Sequence, residues 1–553
     1  MRQRSWLAPA IVFVVALAVY LRTAPPGLTW AHDSADGGDL IAAALVRGVP
    51  HPSGYPTFIL LAHLFTRLPW HTPAWQVTLI SMLSGAAAAA LTAATVQHVA
   101  VQTGDTAVSV LASGHPSDEG TGEPAMVWRS SSVSSLLFAT PAIIAGLALA
   151  FSPLFWGQAI VAEVYALNAC LAALVIWALV RWRYGASSMW AVVAGVAFGA
   201  ALGNHLTSIW LTPFVAICLI LPSAQSARRV RSVANFLLAT GVGLLVYVYL
   251  PLAAAADPPV NWGDPQSGEG FWWVVSGQLY RSFVLAVGWP EALGRLSAWS
   301  GLLWREFLPW GVVLALAGLA WLFLADRFIA LGMIVSLALG LSWAIGYDTT
   351  DSLLTLLPGW VMISLWIGLG MVWLLNLLQR IGTRAALITG VVALTLLAVP
   401  LTLNWTALDL SKDREAENFL DAVMQIAEPD AMVVTVGDRA TFALWYARYG
   451  LQRRTDIIPV SRDLWALESY RRTVGATHPA LAGREPPSEL ATLVSSSLRQ
   501  KRTVYLAQAS MTPVDLAEPP LPQGSQSRLR QEALVLPSNT SAGWVLWKLE
   551  PPP

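Results

Sequence analysis

The chain has 553 residues, 55% of them hydrophobic and only 12% charged, with a mean hydropathy of +0.56. Soluble domains average about 25% charged residues, so this composition excludes an ordinary soluble globular protein and indicates a membrane one. A formal net charge of zero removes the electrostatic argument for a nucleic-acid partner.

The N-terminus, MRQRSWLAPAIVFVVALAVYLRTAP, has the basic start and apolar body of a signal peptide. It lacks a clear small-residue cleavage site and reads as an uncleaved first helix. A helix needs roughly 20 apolar residues to span a bilayer. About eleven segments qualify: 6–23, 76–100, 133–152, 159–180, 188–204, 206–222, 232–251, 307–325, 328–346, 353–377 and 384–404. The 27 tryptophans suit a chain with many membrane–water interfaces.

With Arg2 and Arg4 inside, basic turns at Arg181–Arg183, Arg228–Arg231, Asp326–Arg327 and Arg380–Arg384 also fall inside, as the positive-inside rule requires. The outer side then receives a first loop over 24–75, a large loop over 252–306 and everything after 405. Residues 101–132, rich in Gly, Ser, Thr and Pro, read as a cytoplasmic linker. From 406 onward charge rises, and strand-like AMVVTV, TDIIPVS, RTVYLAQ and GWVLWKL alternate with helical stretches. That pattern predicts a small extracytoplasmic α/β domain over 406–553, after a transmembrane domain over 1–405. Cys170 and Cys218 lie in apolar runs and suggest neither a disulfide nor a metal site.

This topology gathers the unusual polar residues on the outer face: Asp33, Asp36 and Asp39, His51 and Tyr55, Glu163 and Tyr165, His205, Asn261-Trp262 with Asp264, and Tyr347-Asp348 with Asp351. Ionisable groups at membrane depth are expensive and point to function, so their convergence predicts a polar cavity opening outward. DLIAAALVRG reads as a short helix with Asp36 at its start and Asp39 on the same face. A carboxylate there is either a cap, favoured by the free N–H groups, or a general base toward an acceptor hydroxyl. His51-Pro52 and Gly54-Tyr55-Pro56 restrain the backbone; His51 is either part of that brace or a donor to substrate. Glu163 is either an interfacial carboxylate or a ligand for a sugar hydroxyl. Nothing in the spacing of these groups indicates a metal site.

Several of these segments resemble a bacterial membrane family whose eukaryotic relatives include a transmembrane O-mannosyltransferase. The likeness is carried by ADGGDLIAAALVRGVPHPSGYPTFILLAHLF, AEVYALNACLAAL, LGNHLTSIWLTP, YLPLAAAADPPVNWGDPQSGEGF, YDTTDSLLTLLPGWVMISLWIGLG and VVTVGDRATFALWYARYG. It covers most of the chain and implies a GT-C glycosyltransferase architecture: a polytopic helical membrane domain with a polyprenyl-phosphate-linked sugar as donor. The family's acidic motif falls on Asp36 and Asp39, leaving Asp33 outside it. Where the family often carries an arginine, this chain has Ala253, so Arg281 or Arg305 would have to meet the donor phosphate.

The resulting expectation is an inverting enzyme in the cell membrane. It would move a sugar, mannose by the example of those relatives, onto a protein or glycan hydroxyl, with Asp36 as base and Asp39 as its helper. Beyond membrane lipids and the lipid-linked sugar it would need no cofactor. A transporter or flippase, and a silent scaffold, are the rival readings. The chain shows no inverted repeat with paired broken spans to support transport.

Overall fold

The structure is a computed structural model describing residues 6–113, 132–222, 229–483, 485–510, 532–535 and 543–549. Most of the expected cytoplasmic linker, Arg2, Arg4, Arg228 and the proline tail lie outside the described residues. The first linker residues, 101–113, instead continue a helix.

The first apolar run forms α1 (Leu7–Thr23), and the loop after it folds into α2 (Gly37–Val46) and α3 (Pro56–Phe65). There follow α4 (Pro73–Ser113), α5 (Ser132–Ala150), α6 (Pro153–Ala159), α7 (Tyr165–Arg183), α8 (Met189–Asn204), α9 (Thr212–Ile220) and α10 (Arg229–Leu244). The apolar part closes with α11 (Tyr249–Ala254), α12 (Gly268–Val275), α13 (Trp289–Ala325), α14 (Arg327–Gly346), α15 (Leu357–Ile381), α16 (Thr383–Leu396) and α17 (Ala398–Leu408).

Among the described residues seven helices are long and apolar enough to cross a membrane, or eight if α5 and α6, meeting at 69°, form one span. The chain is therefore a multi-pass membrane protein. Three of the eleven expected segments are apolar but shorter: Leu7–Thr23, Met189–Asn204 and Leu206–Ile220. The last begins with a tight 3₁₀ turn, Leu206–Leu211.

Two other boundaries differ from expectation. Residues 160–164 are not helical, so Glu163 sits in a turn ahead of α7. The large loop over 252–306 holds α12 and the first half of α13. Within α13 the backbone breaks at Leu308 (φ 58°, ψ 161°), immediately before Pro309, as expected where a proline removes an N–H and clashes with the preceding turn.

The bundle is tied at named points. Arg183 on α7 pairs with Asp326 at 2.9 Å, and Asp326 also caps α14 by accepting from the Phe328 and Ile329 N–H groups. Helices α13 and α15 meet at two glycines: a Cβ on Gly318 would lie 1.8 Å from the Trp366 carbonyl oxygen, and one on Gly370 2.0 Å from that of Leu314. Small residues permit such close backbone approach between membrane helices.

Beyond α17 come α18 (Glu415–Ile426), β1 (Met432–Val436), α19 (Asp438–Trp445), β2 (Ile458–Ser461), β3 (Val504–Ser510), β4 (Glu532–Val535) and β5 (Gly543–Leu549). The strands form one sheet in the order β2-β1-β3-β5-β4. β1 runs parallel to β2 and β3, and β5 antiparallel to β3 and β4. The loop carrying α2 is fastened to this part of the chain. Thr29 Oγ1 donates to Asp413, the Leu28 N–H donates to Glu417 at 3.1 Å, and the Trp30 and Phe419 rings lie 5.4 Å apart. α19 packs on α2 so closely that a Cβ on Gly38 would fall 2.6 Å from the Phe442 carbonyl carbon.

The glycine crossing makes a discriminating prediction. Gly370→Ala forces backbone apart at α15 and should destabilise the protein by about 1–3 kcal/mol, as for overpacked cores, read as a lower thermal unfolding midpoint of the detergent-solubilised protein. Gly301→Ala on α13, where a Cβ would meet nothing within 4 Å, should leave it unchanged or slightly raised.

Candidate active site

The sequence from Asp36 to His51 builds one side of a cavity of about 660 Å³. Asp36 occupies the N-cap position of α2, yet its side chain makes no capping hydrogen bond. The carboxylate instead lines the cavity, with 37% of its side chain exposed. Its neighbour in the motif behaves differently. Asp39 is fully buried and does not line the cavity. Its Oδ2 accepts from the His51 backbone N–H at 2.9 Å and lies 2.7 Å from His51 Nδ1, and its Oδ1 accepts from the Trp262 indole N–H at 3.2 Å.

His51 thus stands between two carboxylates, its Nε2 being 3.5 Å from Asp36 Oδ2. The imidazole is packed by Tyr55, at 4.9 Å between centroids, and by Phe442 of α19, nearly parallel at 6.5 Å. An Nδ1–H directed at Asp39 leaves Nε2 for the cavity side, the arrangement that fixes a histidine's orientation.

The electrostatics follow from this enclosure. Partial burial raises the Asp36 carboxyl to about 7; the His51 imidazole opposes the shift, and Asp438, Asp39 and Asp351 add to it. Burial by itself would lower His51, but Asp36, Asp39 and Glu163 outweigh it and raise the imidazole to about 9. Glu163 is buried at the cavity wall and lifted well above the usual carboxylate range, first by desolvation and then by Asp36. Its Oε1 has no hydrogen-bond partner among the described residues.

The remaining expected residues divide. Tyr55, Tyr165, His205 and Arg281 line the cavity with Asp36, His51 and Glu163. Tyr165 donates to Asp351 at 2.5 Å, and His205 Nδ1 lies 2.7 Å from Thr207 Oγ1. Trp262 reaches the site from behind, through Asp39. It is delivered by a short β-bridge in which the Val49 N–H donates to Val260 and the Trp262 N–H to Val49. Asn261, Asp264 and Asp348 do not line this cavity. The Asn261 amide donates to Asp264 at 3.3 Å within a turn, and Asp348 is engaged by Arg295 at 2.7 Å. Arg305 is also absent from the cavity wall, and Ala253 is buried in a small apolar cluster with Val49, Leu250, Ala254 and Val274.

Tyr280, Asp438 and Arg439 also line the cavity and were not singled out from sequence, whereas Asp351, one of the outer polar residues, lines it as well. Asp351 has a signal, since it follows Tyr347-Asp348 in a polar run between two apolar spans. Asp438 and Arg439 had none, because they open α19, some 400 residues from Asp36, and reach the cavity only through tertiary packing. Asp33, ranked outside the motif, lines the cavity as well; desolvation and then Asp351 raise its carboxyl, against the pull of Arg439.

The helical bundle and the sheet domain together share the fold of a solved membrane-protein structure. The solved structure of ArnT from Cupriavidus metallidurans bound to undecaprenyl phosphate superposes with a TM-score of 0.60, covering 97% of each chain at 13% identity. In sequence the chain is O-mannosyltransferase-like: residues 36–228 match the model of the protein O-mannosyl-transferase TMEM260 N-terminal domain. The Mus musculus protein O-mannosyl-transferase TMEM260 is 27% identical over 489 residues, 83% of this chain and 63% of the mouse protein. The Dictyostelium discoideum counterpart is 22% identical over 280 residues, 47% of this chain and 29% of that protein.

The pairing of His51 with Asp39 can be tested spectroscopically. In Asp39→Asn the imidazole loses a carboxylate partner while its burial remains. Its pKa should fall from about 9 toward or below the ordinary histidine value of about 6.5, read from the ¹⁵N shifts of histidine-labelled protein. An unchanged titration would contradict the arrangement.

Proposed function

We propose that the protein is an inverting membrane glycosyltransferase that moves mannose from a polyprenyl-phosphate donor to a hydroxyl of a protein or glycan acceptor. The observation that carries this reading is the uncapped Asp36 carboxylate facing the cavity across His51, with Asp39 buried behind. It is supported by the likeness to the O-mannosyl-transferases and to ArnT, whose crystal structure holds undecaprenyl phosphate.

In this mechanism Asp36 takes the proton of the acceptor hydroxyl as its oxygen attacks the anomeric carbon. The bond from that carbon to the phosphate oxygen breaks on the opposite side, its electron pair leaving with the phosphate, and the configuration inverts. A phosphate leaving group needs charge stabilisation rather than protonation. Arg281 and Arg439 line the cavity and supply positive charge, so the reading calls on no metal. Asp39 acts through His51, holding the imidazole beside Asp36 rather than touching substrate. Glu163, buried at the cavity wall with its carboxyl raised above the usual range by desolvation, is placed to hydrogen-bond a sugar hydroxyl.

The topology that accompanies this reading has the N-terminus in the cytoplasm and the cavity opening on the extracytoplasmic side of the cell membrane. There the domain over 406–553 roofs the membrane domain over 1–405. Donor then arrives from the bilayer and acceptor from outside.

The test is transfer of labelled mannose from a synthetic polyprenyl-phosphate mannose to acceptor peptides by the purified protein. Asp36→Asn should lower kcat by about 10²–10⁴-fold, the usual worth of a general base, with donor binding retained. Undiminished transfer would remove Asp36 from the role. Arg281→Gln should weaken donor binding more than it lowers kcat. The wild-type rate should also rise with pH as Asp36 loses its proton near 7 and fall as His51 loses its own near 9. The two apparent values belong to the coupled pair. A rate that is flat from pH 6 to 10 would contradict the assignment.

A further inference from the structure

At the far end of α2, about 15 Å from Asp36 by helical rise, two arginines converge on one histidine. Arg47 Nε donates to His63 Nε2 at 3.2 Å, and an Arg67 guanidinium nitrogen lies 2.8 Å from the same atom. His63 Nδ1 is 2.9 Å from the Ala44 carbonyl oxygen. That oxygen can only accept, so Nδ1 carries the proton and Nε2 is the acceptor for both guanidinium groups. Two cations are thereby held side by side on a neutral ring. Neither arginine forms an ion pair with a carboxylate among the described residues.

Capping explains only part of this. Arg47, in the left-handed region at φ 55°, ends α2, where a cation suits the helix dipole. Arg67 lies beyond the end of α3 and caps nothing in α2. Like charges so close repel unless an anion joins them, and paired guanidinium forks match the oxygens of a phosphate.

The surroundings indicate where that phosphate comes from. Leu60, His63, Leu64 and Arg67 follow the three- and four-residue spacing of one helical face. Leu60 and Leu64 on that face are exposed at 42% and 59%, and Trp70 beyond it at 52%. An apolar stripe ending in arginines with a tryptophan alongside is the pattern of a helix lying in the membrane interface. From this geometry we propose that Arg47, His63 and Arg67 form a binding site for the phosphate of an anionic membrane lipid, with Leu60 and Leu64 against its acyl chains. This site is separate from the catalytic cavity, which none of these residues lines, and it does not rest on the glycosyl-transfer reading.

The full-length protein, purified in a neutral detergent, can be titrated with phosphatidylglycerol, phosphatidylcholine or inorganic phosphate, with bound lipid counted by native mass spectrometry. Phosphatidylglycerol should bind, phosphatidylcholine more weakly, and inorganic phosphate should not displace it at equal concentration. Loss of each arginine in Arg47→Gln and Arg67→Gln should weaken phosphatidylglycerol binding roughly fivefold, the usual contribution of one basic side chain at an anionic membrane surface. Arg499→Gln, in the sheet domain, should leave it unchanged. Should Arg47→Gln fail to fold, Arg67→Gln alone decides, since Arg67 has no capping role. Phosphatidylglycerol binding unaltered by Arg67→Gln, equal binding of phosphatidylcholine, or displacement by inorganic phosphate would each overturn the proposal.

Discussion

The site depends on one buried carboxylate. Asp39 carries a full set of donors: the His51 backbone N–H, the His51 ring and the Trp262 indole. Burying an ionised group without partners costs several kcal/mol, so these contacts are what allow Asp39 to remain where it is. In doing so they tie α2 and the turn after it to a distant part of the chain. Helix α2 supplies Asp39, the turn after it supplies His51, and the loop after α11 supplies Trp262. The β-bridge at Val49 and Asn261 holds the same juncture through backbone bonds. With Asp39 buried against His51, Asp36 is the one of the motif's two carboxylates that lines the cavity.

The sheet domain is part of this construction rather than an appendage. Phe442 of α19 lies nearly parallel to the His51 ring, and the Gly38 contact leaves no room for a side chain between α2 and α19. Asp438 and Arg439 enter the cavity wall from the same helix. The loop carrying α2 is held to α18 through Leu28, Trp30 and their partners. A change in how the sheet domain sits would therefore be felt at the imidazole, and through it at Asp36.

The membrane character and most helix positions were legible in the sequence because long apolar runs have few alternatives to helices in a bilayer. Asp36 was legible by its motif and by its place at a helix start. Asp39 was visible but misplaced: helical spacing put it on the face of Asp36, whereas packing turns it away from the cavity toward Trp262. Asn261, Asp264 and Asp348 looked functional because polar residues near membrane ends are uncommon. Their hydrogen bonds show a turn and an ion pair instead. Arg439 was invisible, since nothing local in TVGDRATF tells that α19 will close over α2. The shortfall in spans is one of length: Leu7–Thr23, Met189–Asn204 and Leu206–Ile220 are apolar but short, the last opening with a 3₁₀ turn.

The central claim is that Asp36, and not Glu163 or Asp351, receives the acceptor proton. It is tested most directly by a structure of the complex with acceptor and a phosphonate analogue of the donor that cannot transfer its sugar. The account predicts the acceptor hydroxyl within hydrogen-bond distance of Asp36, on the opposite side of the anomeric carbon from the phosphonate, with Asp39 still buried behind His51. An acceptor hydroxyl held by Glu163 or Asp351, with Asp36 facing away, would contradict it.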